Sequence, residues 1–346
     1  MRILLTMDPF IPVPPRFYGG IERVIADIAE VFVKEGHEVT LVAAPGSRSP
    51  GKLITYGREG EWTRWSNIHN FAVITAILKR EIHCHDVIHN FGRLLYLLSV
   101  LRQNFPKIQT YMREVTPERV RQSIKLGARR LYFTAVSDYI KQMGLQGGGH
   151  WTTIYNCAPV EQYEFCGTTD PRTAPLAFLG RLDRGKGLHS AIAVAHRTGR
   201  KLRVAGNISN LPHERDYFEK EIKPLIDGKL IEYIGPVDNK GKNELLKSAA
   251  AMLLPIEYKE AFPIVLPEAL LCGTPVIAFR AGGIPEGVIE GRTGFVCDTV
   301  EEMANLVERL PEIERCICRA EGERRFSATA IAHSYLELYR HAVTAA

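Results

Sequence analysis

The sequence predicts an α/β protein built from two doubly wound, Rossmann-like domains. Three observations predict it. Short apolar, β-branched runs alternate with amphipathic stretches; the alternation stops at a polar break and then restarts; and 346 residues exceed what one ordinary core accommodates. The runs are apolar on both faces, which suits parallel strands covered by helices on either side.

The first strand is "RILLT" (2–6). In "GGIERVIADIAEVFVKEG" (19–36), Ile21, Val24, Ile25, Ile28, Val31 and Phe32 recur at helical spacing and Gly36 supplies a C-terminal stop. With "HEVTLVAA" (37–44) this makes a β-α-β unit. Further strands are expected at "DVIH" (86–89), "IQTYM" (108–112), "FTAVS" (133–137) and "TTIYN" (152–156). The cluster "CGTTDPRTAP" (166–175) has no periodicity and marks a domain boundary. The pattern then resumes with strands "LAFLG" (176–180), "LRVAG" (202–206), "IEYIG" (231–235), "AMLLPI" (251–256), "PVIAF" (275–279) and "GFVC" (294–297), with helices between, the first from about Leu188. The expected division is residues 1–165 and 175–326, followed by an amphipathic terminal helix over 327–346.

Composition is that of a folded globular chain, with 45% hydrophobic and 24% charged residues, and it names no activity. The net charge of +5 does not argue for nucleic acid. Seven cysteines (84, 157, 166, 272, 297, 316, 318) are odd in number and lack C-x-x-C pairs, so they read as reduced thiols with no zinc site, and no metal is expected. No apolar run spans a bilayer and "MRILLTMDPF" reads as a strand entry instead of a leader, so the expected address is cytoplasmic.

In such sheets ligands sit beyond the carboxyl ends of the strands, and three loops there draw attention. After the first strand, "DPFIPVPPRFYGGIERV" brings Gly19 and Gly20 to a helix start, where free N–H groups face outward. After "LAFLG", "GRLDRGKG" (180–187) nearly matches a nucleotide-triphosphate P-loop, yet Gly187 stands where the magnesium-ligating hydroxyl belongs. What remains, Arg181 and Lys186 on a glycine-rich loop, suits a diphosphate gripped without metal. In the third, "EYKEAFP" leads into a short helix "IVLPEALLC", so Glu260 lies at the helix entrance and Glu268 inside it. A helix dipole accounts for either acid singly but not for both, which points to a ligand held at both ends.

The pair Glu260–Glu268 in "EAFPIVLPEALLCGTPVIA", followed by "GGIPEGVIEGRTGFV" and preceded by "GRLDRGKG", resembles the retaining glycosyltransferases of family 4, which have the GT-B fold. "YGGIERVI" and "IYNCAP" (154–159) extend the resemblance over nearly the whole chain. The resemblance implies transfer of a hexose from a nucleotide-diphospho-sugar, a UDP-sugar such as UDP-glucose, to an acceptor it does not name. No cofactor and no metal would be required. Arg181 and Lys186 would neutralise the diphosphate; Glu260 and the backbone at Phe262, Pro263 and Ile264 would hold the sugar; Glu268 would take the ribose hydroxyls; and Gly19 and Gly20 would close over the phosphates. Arg181, Lys186, Glu260 and His89 are the catalytic candidates.

One departure concerns the acceptor side. The family carries D-V-x-H-x-H where this chain has "HDVIHNFG", so His89 is followed by Phe91 and its role is open. Arg113 and Asn156 are the other acceptor-side candidates. The nearby "HCHD" (83–86) reads as an exposed loop. Residues 113–130 carry six cations against Glu114 and Glu118, a local +4, which is either a solvated face or a surface for an anionic acceptor or membrane. A GDP-mannose-dependent transferase shares every motif above, and a non-catalytic sugar-nucleotide binder is the alternative from another class.

Overall fold

The computed structural model describes residues 1–15, 19–58 and 63–345. They form two compact units, Met1–Cys157 with Ala328–Ala346, and Ala158–Ser327.

The first unit contains β1 (Arg2–Thr6), α1 (Gly20–Lys34), β2 (Glu38–Ala43), β3 (Lys52–Thr55), α2 (Arg64–Glu81), β4 (Val87–Asn90), β5 (Lys107–Tyr111), α3 (Pro117–Lys125), β6 (Leu131–Ala135), α4 (Asp138–Leu145) and β7 (His150–Thr153). Its seven strands are all parallel in the order β3-β2-β1-β4-β5-β6-β7. The order reverses between β1 and β4, which places the ligand crevice of a doubly wound sheet at the ends of those two strands. Helix α1 forms as its spacing predicts, with Val24, Ile25, Ile28 and Phe32 fully buried. Gly19 caps it with φ +155°, and a Cβ there would lie 2.7 Å from Pro15 Cβ and 2.8 Å from Glu22 Oε2. Only glycine fits.

Among the elements absent from the sequence reading are β3 and α2. Helix α2 exposes Trp65 and Ile68 and buries Asn70 and Glu81 alongside Ile74, Ile77 and Leu78, so its buried stripe is partly polar and hard to read. Its start is fixed by a capping box in which Thr63 Oγ1 accepts from the Ser66 N–H and Ser66 Oγ from the Thr63 N–H. Strand β7 runs over His150–Thr153, earlier than the expected 152–156.

The second unit contains β8 (Leu176–Leu179), α5 (Leu188–Thr198), β9 (Leu202–Ala205), α6 (Pro212–Tyr217), β10 (Ile231–Gly235), α7 (Asn239–Lys247), β11 (Ala251–Leu254), α8 (Val265–Leu271), β12 (Val276–Phe279), α9 (Ile284–Gly287), β13 (Gly294–Cys297), α10 (Val300–Val307) and α11 (Arg315–Phe326). Its sheet is again all parallel, β10-β9-β8-β11-β12-β13, with the reversal between β8 and β11. Leu176, Ala177, Met252, Leu253, Val276 and Ile277 have no exposed surface, as strands covered on both faces require.

The units divide at Cys157/Ala158, ahead of the 166–175 cluster at which the sequence places a break. The reason is a buried guanidinium. Arg315 donates to the carbonyls of Cys166 (2.6 Å), Ala249 (2.8 Å) and Lys247 (3.0 Å) and to Thr274 Oγ1 (3.0 Å), which ties residues 158–175 into the second unit.

The chain then returns to the first unit through α12 (Ala328–Thr344). Ile331, Ala332, Tyr335, Leu336, Tyr339 and Ala342 form its buried stripe, and Tyr339 packs on Phe32 of α1 at 5.8 Å between ring centroids. No helix among the described residues is long and apolar enough to cross a membrane.

Candidate active site

In the second unit, the loops following β8 and β11 meet at the reversal point of the sheet. They are joined by the Glu257 N–H, which donates to the Gly185 carbonyl at 3.0 Å, and by Gly187 at φ +76°. A Cβ on Gly187 would lie 1.8 Å from the Pro255 carbonyl oxygen, so the position that carries a hydroxyl in a P-loop cannot carry a side chain here. The near-match to a P-loop is therefore a packing solution between two loops.

That joint brings Lys186 and Glu260 together. Lys186 Nζ donates to Glu260 Oε2 at 2.7 Å and lies 5.0 Å over the Tyr258 ring; Tyr258 Oη donates to the same Oε2 at 2.6 Å, and the Ala261 N–H donates to Oε1 at 3.1 Å. Burial alone would raise the Glu260 carboxyl, but the Lys186 ammonium and these hydrogen bonds outweigh it and hold it below the usual carboxylate range. The backbone of Glu260 is fixed from behind by "AGG": the Gly283 N–H donates to its carbonyl at 2.8 Å, and a Cβ on Gly282 would stand 2.1 Å from that oxygen. An ammonium with three donors, one spent on a carboxylate, keeps two for an anionic ligand.

Glu268 sits in the first turn of α8, 2% exposed, and does not touch Glu260's cluster directly. One of its oxygens accepts from Tyr163 Oη at 2.7 Å and from Lys242 Nζ, and Lys242 also donates to Tyr163 Oη at 3.1 Å. Its other oxygen, Oε2, is buried with no hydrogen-bond partner. A buried acceptor oxygen left open in this way is complementary to a ligand hydroxyl. Pro267 is tolerated within the first turn of α8, where its missing N–H costs no helical bond.

The remaining candidates of this unit are placed as follows. Arg181 turns back onto its own loop and pairs with Asp183 Oδ2 at 2.8 Å while its side chain stays partly exposed. Phe262 and Pro263 are buried, Phe262 against Phe326 at 5.4 Å, and Ile264 caps α8. Since proline has no N–H, only Phe262 and Ile264 have backbone donors to offer at this corner.

In the first unit, Gly19 and Gly20 open α1 as expected, while Tyr18 of the "YGG" stretch lies outside the described residues. Two acids gather at the reversal point there. Asp8 Oδ1 accepts from the Arg93 N–H at 3.3 Å, and Glu22 is 4% exposed. Burial raises Asp8 against the charge of Arg93, and burial raises Glu22 against the charge of Arg113. Arg113 itself is exposed and Asn156 is buried.

His89 is a correction. It has no exposed surface, Nδ1 meets Tyr339 Oη at 2.5 Å, Nε2 meets Thr110 Oγ1 at 2.5 Å, and Phe91 and Tyr335 cover its ring at 3.9 and 4.8 Å. Burial drives its pKa well below the ordinary value, so the ring is neutral. Both nitrogens are spent inside the first unit, and the residue is part of its core. The "HCHD" stretch is likewise structural in part: His85 is buried, with Nδ1 on the Glu81 carbonyl at 2.7 Å and Nε2 on Thr40 Oγ1 at 2.9 Å, and Asp86 pairs with Arg2 at 2.6 Å. Lys242, Tyr163, Tyr258 and Glu22 escaped sequence reasoning because no local pattern distinguishes them.

Two family models match the chain, Glycosyltransferase Family 4 over residues 18–162 and Glycosyl transferases group 1 over residues 168–331. The chain belongs to glycosyltransferase family 4. Its two parallel-sheet Rossmann-like units are those of the GT-B fold. Among curated relatives, it is 31% identical over 170 residues to a glycogen synthase of Mycobacterium tuberculosis, covering 47% of this chain and 40% of that protein. It is 30% identical over 189 residues to an alpha-maltose-1-phosphate synthase of Mycolicibacterium smegmatis, covering 48% and 47%. This family 4 chain thus spans less than half the length of those two relatives. Among solved structures, AviGT4, a glycosyltransferase involved in avilamycin A biosynthesis, aligns with a TM-score of 0.73 at 25% identity over 100% of this chain and 98% of that one. The fold also matches that of the Anabaena protein Alr3699/HepE solved with UDP-glucose, with a TM-score of 0.73 at 19% identity over 99% of this chain and 100% of that one.

Proposed function

We propose that this family 4 glycosyltransferase moves a hexose from a UDP-sugar such as UDP-glucose, with retention of configuration and without a metal ion, to an acceptor engaged by the first unit. The observation that carries the reading is the Lys186–Glu260 pair at the reversal point of the second sheet. Breaking the bond from the anomeric carbon to the diphosphate oxygen leaves negative charge on the phosphates, and a fixed ammonium there lowers the barrier. The acceptor oxygen forms the new bond to that carbon and its proton leaves to solvent or to the departing phosphate. In this reading Lys186 and Arg181 face the diphosphate, Glu260 with the Phe262 and Ile264 N–H groups faces the sugar, and the open oxygen of Glu268 takes a ribose hydroxyl. The uridine assignment draws support from the neighbour solved with UDP-glucose. The raised carboxyls of Asp8 and Glu22 make the end of β1 a place for neutral hydroxyls, in keeping with an acceptor there, and the basic segment 113–130 accords with peripheral contact to an anionic membrane on the cytoplasmic side.

Thermal unfolding with UDP, GDP and ADP in parallel, without metal, tests the donor. A ligand at a hundred times its dissociation constant stabilises by about 2.7 kcal/mol, and the expected outcome is such a shift with UDP alone. A shift with GDP or ADP instead reassigns the nucleotide, and no shift with any of the three removes the phosphate-binding role of the 180–187 loop.

A further inference from the structure

The basic segment singled out in the sequence has a partner in the fold. The last turn of α3 abuts the turn that leaves α4: Arg121 Nη2 donates to the Gln146 carbonyl at 2.8 Å, and Ile124 Cδ1 stands 3.3 Å from where a Cβ on Gly148 would be and 3.5 Å from that of Gly149. Three large apolar side chains come to the surface here, Ile124 (39% exposed), Leu126 (45%) and Leu145 (42%). Around them stand Arg102, Arg121, Lys125 and Arg129, all exposed; Arg102 Nε donates to the Leu126 carbonyl at 2.7 Å, which holds it beside that residue. None of these cations makes an ion pair among the described residues. Elsewhere exposed cations are commonly paired, as in Lys220–Asp216, Lys223–Glu219 and Arg309–Glu312.

We propose that the joined ends of α3 and α4 are a membrane-docking surface, in which Ile124, Leu126 and Leu145 enter the headgroup–acyl boundary of an anionic bilayer while Arg102, Arg121, Lys125 and Arg129 sit at its phosphates. It rests on the membrane part of the reading above and is independent of the donor. Apolar side chains ringed by unpaired cations match the two layers of such a surface, an anionic plane over hydrocarbon, whereas a soluble polyanion would make no use of the apolar centre. The acids of the segment, Glu114 and Glu118, lie at the other end of α3.

The test is flotation of the full chain with vesicles of phosphatidylglycerol mixed with phosphatidylcholine, against pure phosphatidylcholine. Binding to the anionic vesicles alone is expected at low salt. Lys125→Gln with Arg129→Gln should weaken it about fivefold per cation removed, and Ile124→Ser with Leu145→Ser about tenfold. Lys220→Gln with Lys223→Gln removes the same charge from the second unit and should change nothing. All of these side chains are exposed, and the UDP-induced shift in unfolding is expected unchanged in every variant, so failure of the donor reading and failure of this one are distinguishable. No flotation at low salt overturns the proposal. So does equal weakening by the control pair, indifference to the two serine substitutions, or retention on heparin with no affinity for vesicles.

Discussion

The two units build their reversal points from the same strand order and arrive at opposite electrostatics. At the ends of β8 and β11, half-buried Glu260 lies against a lysine and its carboxyl is held low; Glu268 is likewise bonded to Lys242. At the ends of β1 and β4, Asp8 is half-buried and Glu22 buried, and loss of water prevails over the charges of Arg93 and Arg113 to raise both. In the proposed reading, the scaffold fixes where a ligand would meet the sheet and the pairing of each acid sets its kind: an anion beside a lysine in one unit, neutral hydroxyls in the other.

The sharpest way to break this comparison is to remove the lysine. Lys186→Ala is expected to lower donor turnover by roughly 10²- to 10³-fold with the fold intact, as loss of a preorganised charge contact does; near-normal turnover by a correctly folded variant would detach the Lys186–Glu260 pair from chemistry. A second change acts on stability. Glu268→Gln leaves the Lys242 ammonium, whose side chain is only 14% exposed, without its counter-ion, and should cost about 3 kcal/mol in urea unfolding. Adding Lys242→Met should restore part of that loss, and no recovery would mean that the pair is not the source.

The smallest effect separates the two units by pH. Glu260 has a depressed folded pKa, so its contribution is present above the unfolded value of about 4.3 and is lost as pH falls through the folded one. Glu22 has a raised folded pKa, so it penalises the fold at neutral pH and the penalty fades as pH falls. Glu22→Gln should therefore raise the unfolding midpoint at pH 8 and less so at pH 5. A variant less stable at pH 8 would show that the carboxylate is favourably bound after all.

What the sequence made legible was local. Lys186, Glu260 and Gly187 lie in two short loops after apolar runs, and their types and spacing mark those loops in the sequence itself. The partners of Glu268 were not legible, since Tyr163 and Lys242 reach it from 105 and 26 residues away through the sheet topology. His89 misled for a related reason. A histidine ending a strand looks available until the helix that covers it is known, and that helix supplies Tyr339 from 250 residues further on. Helix α2 was invisible because its buried face is partly polar.

The return of α12 to the first unit has a consequence for biosynthesis. Residues 158–327 form a continuous stretch and can complete their own core as they leave the ribosome. The earlier-made stretch cannot: until Ala328–Thr344 emerges, His89 lacks Tyr339 and the groove beside Phe32 stands open to water. The half synthesised first is the half finished last, so a nascent chain paused before residue 328 presents an apolar strip that a chaperone would have to shelter.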